Sequence, residues 1–192
     1  MSGFGPLDAA LRAAAVRGDH DQERLLEQAA TAAERPPAAM PAPAQAAHWY
    51  ATHGLRVFPL QPGAKRPYPG SHGVTDATTD LHRLTVWLTV APESNLGVAT
   101  GDPYDVIDID GPAGEAAFID MIGHGAAEWL TVRAVSATPR GLHLWVPAVP
   151  GARNGGAEYQ ISFDYRAKGG YVVVPPSHVD GTMYRWLLPP LL

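Results

Sequence analysis

Apolar positions along this chain follow two different periods, and the change between them falls near residue 95. Before it, the spacing is mostly helical. Residues 6–34 are rich in Ala, Leu, Glu, Gln and Arg and are interrupted at Gly18-Asp19, which predicts two short helices. Asp19 followed by Gln22 has the form of a capping box, and Leu25, Leu26, Ala29, Ala30 and Ala33 make a narrow apolar stripe after it. Ala44 to His53 predicts another helix, closed by Gly54, and Leu81, Leu84 and Leu88 place one more over Asp80 to Thr89. Val57 to Leu60 is a short strand between them. From Asn95 onward the pattern changes to strands. Asn95–Thr100, Tyr104–Asp110, Thr131–Ala137, Gly141–Val146, Glu158–Tyr165 and Tyr171–Pro175 are the expected strands, with one helix near Gly114 to Ile122. Tyr184-Arg185-Trp186 adds a final edge strand. Helices precede and interrupt the strands without a regular repeat, which predicts an α+β or mixed α/β sheet domain.

Prolines and glycines divide this pattern. The run Pro36-Pro37-Ala38-Ala39-Met40-Pro41-Ala42-Pro43 cannot continue a helix, because each proline lacks an amide donor and restricts the residue before it. It reads as a semi-rigid linker over residues 36–43, separating a helical appendage (residues 1–35) from a domain spanning residues 44–192. Within that domain, Gln61 to Gly73 is a loop carrying the cations Lys65 and Arg66.

Composition narrows the chemistry. The 192 residues include no cysteine, which removes disulfides, thiolate zinc sites, iron–sulfur ligation and cysteine nucleophiles, so any metal must sit on oxygen or imidazole. Neither a secretory signal pattern nor an apolar run long enough to span a bilayer is present, and a soluble, cytoplasmic protein with no membrane partner is expected. The formal charge of -5 argues weakly against a nucleic-acid binder. Lys65 and Lys168 are the only lysines, arginine supplying the other positive charges.

Val106-Ile107-Asp108-Ile109-Asp110-Gly111 is the most informative hexamer. Strand alternation puts Asp108 and Asp110 on one face and Ile107 and Ile109 on the other. Two carboxylates on one face repel, and a divalent ion between them removes that cost; Mg²⁺ and Mn²⁺ favour such oxygen donors. The plainer alternative is a solvated strand end entering a Gly turn. Farther on, Ile161, Phe163 and Tyr165 alternate with Ser162, Asp164 and Arg166, so Asp164 and Arg166 point the same way. That pattern also fits a half-exposed strand with an ion pair. Lys168-Gly169-Gly170-Tyr171 follows as a cationic turn whose backbone can approach an anion. In Thr138-Pro139-Arg140-Gly141-Leu142-His143-Leu144-Trp145, His143 faces away from Leu142 and Leu144; a lone strand histidine is more often packed than a ligand. If three of these strands are neighbours, Asp108, Asp110, His143, Asp164 and Arg166 share one sheet face.

With these residues in place, the chain resembles the prim-pol family, the bifunctional DNA primase/polymerase domains of the archaeo-eukaryotic primase superfamily. The resemblance runs from about Ala47 to Trp186. It is carried by Ala47-His48-Trp49-Tyr50, Gly54-Leu55-Arg56-Val57-Phe58-Pro59, Lys65-Arg66-Pro67, Asp76-Ala77-Thr78-Thr79-Asp80 with Trp87, and Asn95 to Gly101. Val106 to Asp110, Gly141-Leu142-His143, Phe163-Asp164-Tyr165-Arg166 and Gly169 to Ser177 complete the ordered set. It implies an α+β core of two modules flanking a cleft, one with an RNA-recognition-motif-like sheet. It further implies that Asp108, Asp110 and Asp164 are catalytic and hold two divalent ions, Mg²⁺ or Mn²⁺; no zinc is expected, because the cysteine ligands of the zinc-binding insertion that some members carry are absent here. His143 would contact phosphate of the incoming nucleotide, Arg166 and Lys168 would lie near the triphosphate, and Lys65 matches a recurring cation of unassigned contact.

The implied function is primer synthesis or extension in plasmid, phage or chromosomal DNA replication, with single-stranded DNA template and nucleoside triphosphates as partners. Many members continue into a helicase domain, whereas this chain stops at Leu192, so unwinding, where required, is expected from a separate replicative helicase or initiator or from sequence beyond this chain. Two other readings stay open: an inactive nucleic-acid or nucleotide-binding replication adaptor of the same fold, and a metal-dependent phosphohydrolase or nuclease. Two divalent ions would offset the acidic triad, and residues 1–42 carry six acidic against four basic side chains, so the charge objection weakens. Weak, salt-sensitive template binding that depends on metal and nucleotide is the resulting expectation.

Overall fold

Pro43 opens the first helix among the described residues, where its missing amide hydrogen costs nothing, so the last residue of the expected linker belongs to α1 (Pro43–Thr52). The computed structural model describes residues 42–124, 131–155 and 163–190. The helices expected over residues 6–34, the linker up to residue 41, and the start of the strand expected at Glu158 lie outside the described residues.

Strand β1 (Val57–Leu60) is followed by the proline-rich loop, a 3₁₀ turn (Gly73–Asp76) and α2 (Leu81–Val90). Asp80 caps α2, its carboxylate accepting from the amides of His82 at 2.9 Å and Arg83 at 3.2 Å. Asp76 accepts from the His72 amide at 2.7 Å. Both acids of that stretch therefore hold local backbone. After β2 (Asn95–Ala99) and β3 (Tyr104–Asp110), the chain enters α3 (Gly111–Gly123) directly, earlier than the expected start at Gly114. Gly111-Pro112 reads as a turn, yet a proline in a first helical turn loses no hydrogen bond.

Strands β4 (Ala134–Ala137), β5 (Gly141–Pro147), β6 (Phe163–Arg166) and β7 (Tyr171–Val174) follow, then β8 (His178–Val179), β9 (Thr182–Met183) and β10 (Arg185–Leu188). The β8–β9 hairpin is an addition to the expected strands. Its signal is Asp180-Gly181, both at positive φ (51° and 75°), the backbone a two-residue hairpin turn requires.

All strand pairings among the described residues are antiparallel and build two principal sheets. One has the order β1-β2-β7, the other β10-β4-β5-β3-β6, with β10 at the edge as expected. The fold is thus α+β, with three α-helices among the described residues.

Each face of the five-stranded sheet has a different task. On one face Ile107, Ile109, Leu142, Leu144 and Phe163 pack beneath α3, where Phe118 meets the Phe163 ring edge-on at 5.9 Å. On the other face Val106, Ala134 and Trp145 pack against Leu96, Val98, Val172 and Val174 of the smaller sheet and against α1 and α2. Farther along this second face, Val106 gives way to Asp108 and Asp110, and Trp145 gives way to His143. Apolar packing between the sheets ends where the charged residues begin.

Tyr50 of α1 ties the two sheets together. Its buried hydroxyl donates to the Pro175 carbonyl, after β7, at 2.6 Å and accepts from the Trp186 indole of β10 at 3.0 Å. Burial pushes the phenol pKa far up, which the Trp186 hydrogen bond offsets only in part, so the donor stays protonated. Tyr50→Phe should lower unfolding free energy by about 1–3 kcal/mol in urea titrations, because it strands a buried carbonyl and a partly buried indole N–H.

Candidate active site

The antiparallel register of β3 with its two neighbours determines what can meet. Asp108 stands opposite His143 of β5 and opposite Asp164 of β6, giving one row of side chains, His143–Asp108–Asp164, across three strands. Asp110 lies two residues on, opposite Gly141. A β-carbon at Gly141 would come within 1.9 Å of the Ile109 carbonyl oxygen, so only glycine lets β5 approach β3 beside Asp110.

These residues line a cleft of about 500 Å³ between the sheets. Asp108, Asp110, Asp164, His143, Arg166 and Lys65 all border it. Lys168 is exposed and does not border it, whereas its neighbours Gly169 and Gly170 do. The Lys168 turn is nonetheless fixed in place. Asn154 donates to the Lys168 carbonyl at 3.0 Å and accepts from the Ala167 amide at 2.9 Å. A side chain at Gly101 would run into the Lys168 backbone at 2.2 Å. Tyr171 holds the Lys65 loop by donating to the Lys65 carbonyl at 2.9 Å.

Electrostatic pairing is dense. His143 Nε2 lies 3.4 Å from Asp108 Oδ1, and Arg166 lies 3.7 Å from Asp108 Oδ2 while also pairing with Asp164. Arg140, from the β4–β5 turn, pairs with Asp110. Burial opposes ionisation of Asp108, yet His143, Arg166 and Lys65 outweigh it and hold its pKa below the usual carboxylate range. The buried hydroxyl of Tyr184 also borders this group and has no hydrogen-bond partner within the protein. Burial raises its pKa, and the Asp108 and Asp110 carboxylates raise it further.

Sequence reasoning gives no role to Arg140, Tyr184 or Asn154. Arg140 stands beside the Gly141 of the Gly141-Leu142-His143 motif, but its partner is visible only once the β3–β5 register is known. Tyr184 is expected in the last strand. Its amide instead bonds the Ser177 carbonyl at 2.8 Å, and its ring packs with Phe58, Leu60, Val173 and Val179.

The donor chemistry fits a hard divalent ion, since Asp108, Asp110 and Asp164 present only carboxylate oxygens on one sheet face. As the side chains lie, however, no three His, Asp or Glu groups among the described residues converge closely enough to hold one. Asp110 and Asp164 are each drawn toward an arginine.

Fold and cleft together define an α+β domain whose sheets bracket a site of mixed carboxylates and cations, a combination suited to phosphate and its counter-ions. The family model for the bifunctional DNA primase/polymerase N-terminal domain, Prim-Pol, matches residues 47–191, and the chain belongs to that family. Membership points to primase/polymerase-type nucleotidyl transfer on DNA and nucleotide substrates. No curated protein matches the chain. No described helix is long and apolar enough to cross a membrane.

The lowered Asp108 pKa makes a pH prediction. Stability from its ionised form is fully present above the unfolded value, about 3.9, and is lost as pH falls through the lower folded value. Asp108→Asn cannot take up that proton. Between roughly pH 5 and pH 2, its denaturant midpoint should therefore fall less than that of the unmodified chain; parallel losses would count against the pairing.

Proposed function

We propose that this chain is a metal-dependent, template-directed primase/polymerase that makes or extends primers during replication of plasmid, phage or chromosomal DNA. The observation that carries the reading is the in-register row His143–Asp108–Asp164 at a cleft also bordered by Asp110, Arg166 and Lys65. In this reading the two sheets are the two modules of a primase-type core, and the five-stranded one is its RNA-recognition-motif-like sheet.

Asp108, Asp110 and Asp164 would hold two divalent ions, Mg²⁺ or Mn²⁺. When bound, such ions supply activation of a 3′ hydroxyl and stabilisation of charge on the transferring phosphoryl group and its leaving group. The chain's own residues do the rest by position. His143, buried at the floor of the cleft and fixed by Asp108, presents its ring to a phosphate oxygen. Arg166 and Lys65 add positive charge at the cleft, and the Lys168 turn adds a cation and glycine backbone at its edge. Charge held in place before the nucleotide arrives costs little reorganisation during reaction. Template strand and nucleoside triphosphates are the partners this function needs, a replicative helicase or initiator is a further one, and the cytoplasm is its compartment.

A non-catalytic nucleotide- or nucleic-acid-binding adaptor has one observation in its favour: Asp110 and Asp164 are already paired with arginines. One assay separates the readings. With single-stranded template, mixed nucleotides and Mn²⁺ or Mg²⁺, the chain should give elongated product, and Asp108→Ala should reduce it by about a hundredfold or more while the fold persists. Binding without product supports the adaptor, degraded template supports a nuclease, and full activity of Asp108→Ala overturns the site assignment.

A further inference from the structure

We propose that Arg140 is an exchangeable counter-ion of the cleft, neutralising Asp110 in the unloaded chain and transferring to nucleotide phosphate when a divalent ion takes Asp110. The proposal rests on the reading of the acidic residues as ion ligands and adds a residue and a loading mechanism to it.

The two arginines of the cleft are held differently. Arg166 projects from β6, is 37% exposed, and lies against both Asp164 and Asp108. Arg140 projects from a turn, and its side chain is 67% exposed over an Asp110 that is 30% exposed. The turn itself is anchored through backbone. Thr138 Oγ1 accepts from the Arg140 amide at 3.2 Å and from the Gly141 amide at 2.9 Å, while the Arg140 carbonyl accepts from the Gly111 amide at 2.9 Å. A fixed base with an exposed, multi-rotamer arm suits a group that changes partner.

Exchange also accounts for the missing convergence of the carboxylates. Asp110 is drawn toward Arg140 and Asp164 toward Arg166, so no three acidic or imidazole groups gather among the described residues. Asp110 can join Asp108 on an ion only after Arg140 leaves. Among the described residues at the cleft, three carboxylates already face three permanent cations, Lys65, Arg140 and Arg166. A divalent ion arriving alone would meet a balanced site and displace a cation without offering it a new anionic partner. Arriving with a triphosphate, it brings the anion that the displaced guanidinium can pair with, whose geometry suits phosphate as well as carboxylate. An ion pair this exposed is easily released and re-formed, because solvent screens it. Linkage then makes ion and nucleotide strengthen each other's binding by the same factor.

The test is a pair of titrations on the full chain and on Arg140→Ala and Arg140→Lys, with thermal unfolding to confirm equal folding. Mn²⁺ alone is followed by paramagnetic resonance, and an α,β-methylene nucleoside triphosphate at fixed Mn²⁺ is followed by calorimetry, both without template. Arg140→Ala should bind Mn²⁺ alone about two- to fivefold more tightly and the nucleotide analogue about two- to fivefold more weakly, with Arg140→Lys between it and the unmodified chain. Unchanged or weaker Mn²⁺ binding overturns the counter-ion role, and unchanged analogue binding overturns the transfer to phosphate. If the unmodified chain binds both ligands with the expected Arg140 effects but makes no primer, the enzymatic reading fails while this one stands. If it makes primer and Arg140→Ala is unmoved in both titrations, the enzymatic reading stands and this one fails. An unmodified chain that binds no Mn²⁺ overturns both.

Discussion

The antiparallel register of β3 is the constraint on which the site depends. Because side chains alternate strictly, placing Ile107 and Ile109 under α3 forces Val106, Asp108 and Asp110 onto the opposite face. A one-residue slip would bury two carboxylates against Phe118 and expose two isoleucines to the cleft. The hydrophobic effect thus fixes the register, and the register delivers the charges. With β5 on one side and β6 on the other, Asp108 has no choice of neighbours: His143 and Asp164 stand opposite it.

The same face carries two functions in sequence along its length. Val106, Ala134 and Trp145 seal the two sheets together at one end, and at the other the sheets part to leave the cleft. Tyr50 and Trp186 guard the closed end through the hydrogen bonds of the Tyr50 hydroxyl. The apolar seal at the closed end sets the spacing at the open end, where Lys65 and Tyr171 on one side face Asp108 and His143 on the other. Glycine is what allows the close approaches at this rim. Gly141 admits β5 next to Asp110, and Gly101 admits the Lys168 turn against the end of β2.

Much of this is legible in the amino-acid sequence. Alternation in Val106 to Asp110 marks β3 within the bounds it has, and the ordered motifs point to the family. Which strands are neighbours is not legible, because antiparallel pairing between β3, β5 and β6 joins residues far apart in sequence, and spacing carries no information about that. Arg140 shows the consequence: it stands in plain view before Gly141-Leu142-His143, yet its meaning depends on Gly141 standing opposite Asp110. The early start of α3 escapes the sequence because Gly111-Pro112 reads as a turn although it permits a helix start, and the β8–β9 hairpin escapes it because the Asp180-Gly181 signal is flanked by strands of only two residues each.

Charge is where sequence and structure differ most in what they say. A net value of -5 for the chain suggests poor contact with a polyanion, but potential at a binding site is set by the charges that face it. In the cleft, carboxylates and permanent cations are equal in number among the described residues, and every one of the acids is paired with a base. Such a site neither attracts phosphate strongly nor repels it. Under the proposed exchange of partners, a ligand enters when it supplies, at once, a cation for the carboxylates and an anion for the guanidinium groups. A metal–triphosphate complex has that composition, whereas bare nucleic acid and free metal each offer only half of it.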